Sequence, residues 1–153
     1  MRRPRLPLNV IYLPVLLLCI ALTGTAHAET IEKDGYVIHY SAFNASFLTE
    51  EVARAYNLNR SRYRGYVNIA VHRKMKNGET KPVVAQLSGY ATRLSGSESS
   101  LDFQMVGEGD AIYYLAETII ANRELLRFSI NIKPTPSHNP IKLNFEQTFF
   151  TDD

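Results

Sequence analysis

Between residues 54 and 66 the chain interleaves arginine with tyrosine: Arg54, Tyr56, Arg60, Arg62, Tyr63, Arg64 and Tyr66. Guanidinium groups offer a planar fork of donors, and tyrosine rings offer a stacking face and a hydroxyl. Together, Arg60, Arg62, Arg64 and Tyr66 have the chemistry to hold an anionic sugar, an envelope polymer or a carboxylate tail. The competing reading is a solvated strand edge, whose charges discourage sheet-to-sheet pairing without any ligand. A second group follows at Glu108-Gly109-Asp110, trailed by Tyr113-Tyr114. Two carboxylates on a turn are too few for calcium, which takes about six to eight oxygens. The expectation is a solvated turn whose Glu108, Asp110, Tyr113 and Tyr114 offer contact groups, with no metal.

The remaining reactive side chains are scattered. His39, His72 and His138 fall in two strands and a loop, and no pair has the close spacing of a zinc motif. Solvent-facing or structural roles are expected for them. Leu87-Ser88-Gly89 and Leu94-Ser95-Gly96 each supply half of a nucleophile elbow, which is too little to nominate a serine. Neither a glycine-rich phosphate loop nor an EF-hand spacing is present. No catalytic residue and no cofactor are therefore expected.

The elements that must position these groups read as strands. In 36–43, Tyr36, Ile38, Tyr40 and Ala42 share one face. In 63–71, Tyr63, Gly65, Val67, Ile69 and Val71 face one way, while Arg64, Tyr66, Asn68 and His72 face the other. Asn77-Gly78 then suits a type I′ turn and predicts a hairpin into a strand over 83–92; Gly89 within it fits a bulge. The stretch 95–100 reads as a polar surface loop. Leu101, Phe103 and Met105 alternate with Asp102 and Gln104 as a further strand. A proline-punctuated loop over 134–140 separates two more strands, with Leu126, Phe128, Ile130 and Ile132 inward in one and Ile141, Leu143, Phe145 and Phe149 in the other.

Two segments depart from simple alternation. Residues 48–56 read as a short helix, capped by Thr49 with Glu50 and Glu51 in its first turn. Residues 111–126 carry a helical stripe (Ile112, Leu115, Ala116, Ile119, Ile120). They also hold β-favouring pairs, Tyr113-Tyr114 and Ile119-Ile120, and a plausible turn at Ala121-Asn122-Arg123. A hairpin is favoured there. Counting about seven strands and one small helix, the pattern predicts an all-β, antiparallel immunoglobulin-like sandwich, with a small β-barrel as the alternative.

The N-terminus changes what the composition means. Arg2, Arg3 and Arg5 precede an uncharged run from Leu6 to Leu22, which ends at Ala26-His27-Ala28. Small residues at Ala26 and Ala28 fit signal peptidase, so residues 1–28 read as a secretory signal cleaved before Glu29. An uncleaved membrane anchor is the competing reading. Pro7 and Pro14 interrupt the run, and a stable span is not expected after cleavage. The chain carries 17 Lys+Arg, 15 Asp+Glu and one cysteine. Loss of three arginines and of Cys19 leaves a near-neutral, thiol-free domain over 29–153. Its charge gives no reason to expect nucleic acid. The absence of thiols excludes disulfides and cysteine-ligated metals.

The stretches Tyr56-Asn57-Leu58-Asn59-Arg60-Ser61, Val67-Asn68-Ile69-Ala70-Val71, Gly107-Glu108-Gly109-Asp110-Ala111-Ile112-Tyr113-Tyr114 and Phe145-Glu146-Gln147-Thr148-Phe149 resemble a bacterial exported family known only as domain of unknown function 4426. That resemblance spans nearly all of 29–153. It implies a periplasmic location in a Gram-negative bacterium and a β-sandwich, with no substrate and no catalytic residues. The expected function is a non-enzymatic binding module of the cell envelope. Its partner would be an envelope protein, polymer or small ligand. A hydrolase using carboxylates or histidine is the alternative.

Overall fold

A computed structural model describes residues 28–151. Ten strands and one α-helix lie within them, arranged as two antiparallel sheets packed face to face. The proposed signal segment, up to residue 27, lies outside the described residues.

The first strand, β1 (Glu29–Lys33), turns directly into β2 (Tyr36–Asn44). Asp34 and Gly35 both take positive φ, 53° and 81°, which is the backbone of a type I′ hairpin turn. β2 pairs along its length with β3 (Arg64–Lys74). The opposite edge of β3 is shared. Its later residues pair with the short β4 (Thr80–Pro82), and its first residues pair with β8 (Ala111–Ile119). With β7 (Phe103–Glu108) beside β8, this sheet runs β1-β2-β3-β8-β7. The second sheet runs β10-β9-β5-β6, from Ile141–Phe149, Glu124–Lys133, Gln86–Arg93 and Glu98–Leu101. Both sheets keep free edges, so the sandwich is the outcome and the barrel alternative is not.

The inner faces meet in one core. Ile38, Val67, Ile69 and Val71 of the first sheet pack against Leu126, Phe128, Ile130, Ile132, Ile141 and Phe149 of the second, all 2% exposed or less. Each such side chain contributes about 1.5–3 kcal/mol relative to exposure, so this interface is the main stabilising feature. At one end Arg93 reaches across the sheets. Its guanidinium donates to Glu124 at 2.8 Å, to Ser99 Oγ at 3.3 Å and to the Ile119 carbonyl at 2.9 Å.

Several sequence expectations are corrected by the pairing. Asn77-Gly78 does sit in a hairpin turn, but only Gly78 has positive φ (87°), so the turn is not type I′. Its partner strand is the three-residue β4, because β8 already occupies the rest of the β3 edge. The chain then crosses to the other sheet and runs as β5. Gly89 makes no bulge: its register continues unbroken to Leu101 and Ile130 on either side. Glycine is needed there because β9 passes so close that an added Cβ would meet Ile130 Cα at 2.9 Å. The polar stretch 95–100 is half strand, since Glu98, Ser99 and Ser100 pair with β5 across the Gly96 turn. Finally, 111–126 holds strands, as favoured, but they are not a paired hairpin. β8 belongs to the first sheet and β9 to the second, joined by an arch in which Arg123 has φ 57°.

Candidate binding cleft on the covered outer face

The decisive local feature is a second hydrophobic cluster on the outside of the first sheet. A 3₁₀ turn at Ala45–Phe47 and the helix α1 (Glu50–Ala55) fold back over β3, β7 and β8. They bury Phe43, Ala45, Leu48, Val52, Tyr66, Val106 and Leu115, with Tyr56, Leu58 and Tyr113 at the margin. The helix forms where the sequence indicates. Thr49 Oγ1 accepts the Val52 N–H at 3.3 Å, and Glu50 and Glu51 occupy the first turn. Glu51 is held below the usual carboxylate range by its own backbone N–H and the Thr49 hydroxyl.

This cover changes the role of the arginine–tyrosine segment. Tyr66 lies on the face opposite the sandwich core, yet it is 3% exposed. Its hydroxyl accepts the Asn59 N–H at 2.7 Å and donates to Glu117 Oε2 at 3.0 Å. Burial first, and then the Glu117 carboxylate, push its pKa up to about 12. Arg64 pairs with the other Glu117 oxygen at 3.1 Å. Arg60 donates to the Leu48 carbonyl at 2.7 Å and pairs with Glu50 at 3.5 Å, tying the loop to the helix. Arg62 donates to the Tyr63 hydroxyl at 2.6 Å, with its guanidinium 4.8 Å from that ring's centroid. Arg64 and Tyr66 thus converge on one carboxylate, while Arg60 serves the cover and Arg62 lies along the neighbouring tyrosine.

The second sequence group separates in the same way. Glu108 and Asp110 flank Gly109 (φ 58°) at the β7–β8 turn. Tyr113 points to the outer face, where burial, then the charge of Glu108, raise its pKa. Tyr114 points the other way, into the sandwich core, and its hydroxyl accepts the Ala85 N–H at 2.7 Å. Alternation along β8 makes this separation unavoidable for adjacent residues.

Beside the Tyr66–Glu117 pair opens a half-open cleft of about 340 Å³, lined by Asn57, Leu58, Tyr66, Ser100, Asp102, Phe103, Gln104, Leu115 and Glu117. Asp102 stands at the point where the chain leaves β6 and enters β7. Gln104 Nε2 reaches back towards the Tyr56 carbonyl at 3.5 Å. The cleft is therefore lined by two carboxylate residues, two amide residues and two hydroxyl residues, beside Leu58 and Leu115 of the outer cluster, while the Phe103 side chain turns inward to the sandwich core. Carboxylate and amide oxygens in such a lining can accept hydrogen bonds from donor groups. One row away on the same sheet face, Asn68 Oδ1 is buried with no hydrogen-bond partner among the described residues.

Of the cleft residues, sequence reading nominated only Tyr66. Glu117 and Asp102 carried only a weak signal as acids within strand regions: the β3–β8 register, Tyr66 opposite Glu117, places the first, and the crossing from β6 to β7 places the second. The histidines do not join them. His138 sits edge-on to Tyr36 at 5.4 Å, and His39 faces His72 at 5.1 Å. Neither His72 nor His138 hydrogen-bonds a carboxylate among the described residues. Burial, and then the neighbouring His39, hold the pKa of His72 down.

The pattern of the family catalogued as DUF4426, a domain of unknown function, matches residues 30–152. The chain belongs to that family. It is similar to the crystal structure of a DUF4426 family protein from Pseudomonas aeruginosa PAO1, with 33% identity and a TM-score of 0.70, covering 82% of this chain and 97% of the other. Two more distant likenesses are to FetP of uropathogenic Escherichia coli strain F11, recombinantly expressed in the periplasm, and to a copper-bound variant of FetP. Their identities are both 12%, their TM-scores 0.59 and 0.56, and they cover 82% and 80% of this chain and 95% and 94% of their own. At that identity the likeness is one of fold alone. None of the curated proteins matches the chain. No helix among the described residues of this DUF4426 domain is long and apolar enough to cross a membrane.

Proposed function

We propose that this DUF4426 domain is an exported, non-enzymatic binding module of the periplasm, and that the cleft beside Glu117 is its ligand-contact site. The ligand class is small and polar, presenting amine or hydroxyl donors. The observation that carries this reading is that Asp102, Glu117, Gln104, Asn57 and Tyr66 line one half-open hollow of about 340 Å³. A volume of that order suits a small metabolite or one terminal residue of a polymer. Arg64 balances one Glu117 oxygen at 3.1 Å, so a ligand need not bring a full positive charge. Export is supported by the pattern Arg2, Arg3, Arg5, apolar run, Ala26-His27-Ala28. The proposed cleavage point immediately precedes β1, which starts at Glu29.

The test is a ligand screen by thermal shift against small primary amines and polyhydroxylated sugars, followed by titration of any hit. Asp102→Asn and Glu117→Gln should each weaken a hit by about tenfold or more, as expected for losing a charge-assisted hydrogen bond of about 1.5–3 kcal/mol. A hit that binds both variants as tightly as the parent would place the site elsewhere.

A further inference from the structure

We propose that His39 and His72 form a binding site for a late first-row transition-metal ion, of which Cu²⁺ and Zn²⁺ fit best, on the outer face of the first sheet. The two histidines come from adjacent antiparallel strands. Val37 stands opposite His72, and His39 opposite Ala70, so the imidazoles are diagonal neighbours on one face. Their ring centroids are 5.1 Å apart with planes at 76°. Metal–nitrogen bonds of about 2.0–2.1 Å at a tetrahedral angle put two imidazole centroids roughly 5 Å apart. The rings already stand at that separation.

Each ring is also held from behind. His39 Nδ1 is 2.9 Å from Thr30 Oγ1 on β1, and His72 Nδ1 is 3.2 Å from Thr80 Oγ1 on β4. When Nδ1–H donates to a hydroxyl oxygen, the Nε2 lone pair is left for a metal, and the ring is fixed in that tautomer. Four neighbouring strands thus contribute one residue apiece to the arrangement. His39 is exposed and His72 partly so, which gives an ion access.

The donor set selects the ion. Among the described residues no third histidine, cysteine or carboxylate joins the pair, so water completes the coordination. Hard Mg²⁺ and Ca²⁺ want oxygen ligands. Two neutral imidazoles with water suit borderline ions, and Cu²⁺ heads the affinity order. The site is separate from the Glu117 cleft and does not depend on its reading.

The experiment is calorimetric titration with Cu²⁺ of the protein expressed from its full-length sequence, paired with electron paramagnetic resonance of the loaded form. One ion per chain is expected, with hyperfine splitting from two imidazole nitrogens. His39→Ala and His72→Ala should each remove one nitrogen and weaken binding at least about tenfold. Thr30→Val with Thr80→Val should weaken it about tenfold while keeping both nitrogens. Circular dichroism monitors folding, and His39→Asn, at the exposed partner, remains a fair test should His72→Ala unfold. Absence of stoichiometric binding, Cu²⁺ binding unchanged in the His39/His72 double variant, or equal binding of Mg²⁺ would each overturn the proposal.

Discussion

Removing a single oxygen from Tyr66 should cost measurable stability although the ring stays in place. In Tyr66→Phe the aromatic ring keeps its packing against Phe43, whose centroid is 6.1 Å away. Two hydrogen bonds disappear: the Asn59 N–H at 2.7 Å and the Glu117 carboxylate at 3.0 Å. A neutral bond contributes about 0.5–1.5 kcal/mol and one to a charged group about 1.5–3 kcal/mol. Both partners recover part of this. Asn59 is exposed, so water can replace the hydroxyl, and Glu117 keeps Arg64 at 3.1 Å. The expected net loss is about 1.5 kcal/mol, or roughly 4–9 °C in Tm for a domain of this size. Scanning calorimetry at neutral pH reads it. A double-mutant cycle with Glu117→Gln should return a coupling of about 1 kcal/mol, since the two groups are in contact. A Tm within about 1 °C of the parent, which for this size is only a few tenths of a kcal/mol, would refute the claim that this hydroxyl anchors the outer cover.

Three further outcomes follow from the same geometry. Tyr40, through its hydrogen bond to Glu29 and burial, and Tyr66, through burial and then Glu117, have pKa values raised to about 12, so the fold favours their neutral phenols. The stabilisation they give is complete below the unfolded value of about 10 and is lost as pH rises through about 12. Ultraviolet absorbance should show these tyrosines ionising last, together with unfolding. Gly89→Ala must push a methyl group against the β9 backbone, with Ile130 Cα at 2.9 Å, and should destabilise by about 1–3 kcal/mol in denaturant titration. Arg93→Met leaves Glu124, whose side chain is 18% exposed, without its ion pair. It also releases the Ile119 carbonyl, so a loss of about 2–3 kcal/mol is expected from chemical denaturation.

Much of the fold was legible because period-two alternation survives in strands that bury one face. Tyr36, Ile38, Tyr40 and Ala42 do face the core, as do Leu126, Phe128, Ile130 and Ile132. Alternation reports which side of a strand is apolar but not which sheet the strand enters. For that reason β8 and β9 read as a hairpin when they lie in opposite sheets. Alternation alone does not reveal β1, although Asp34-Gly35 is a strong hairpin signal that places a strand before Tyr36. The arginine–tyrosine segment was recognised as unusual, but its expected solvent face is covered by the segment around α1. Strand periodicity holds no record of what packs on the far side of a sheet, so Tyr66 read as exposed. The Glu117–Asp102 cleft and the His39–His72 pair were illegible for a related reason. Each is assembled by register between strands far apart in sequence.

The ligand-contact role proposed for the cleft beside Glu117 can be measured residue by residue. Its most direct test is amide chemical-shift mapping with ¹⁵N-labelled protein, titrated with the primary amines and sugars of the screen. Saturable shifts confined to the cleft are expected, at Asn57, Leu58, Ser100, Gln104 and Glu117, with about tenfold or more ligand needed to reach them in Glu117→Gln. Shifts clustered instead around Tyr36 and His138, or a cleft unmoved by every probe, would contradict it.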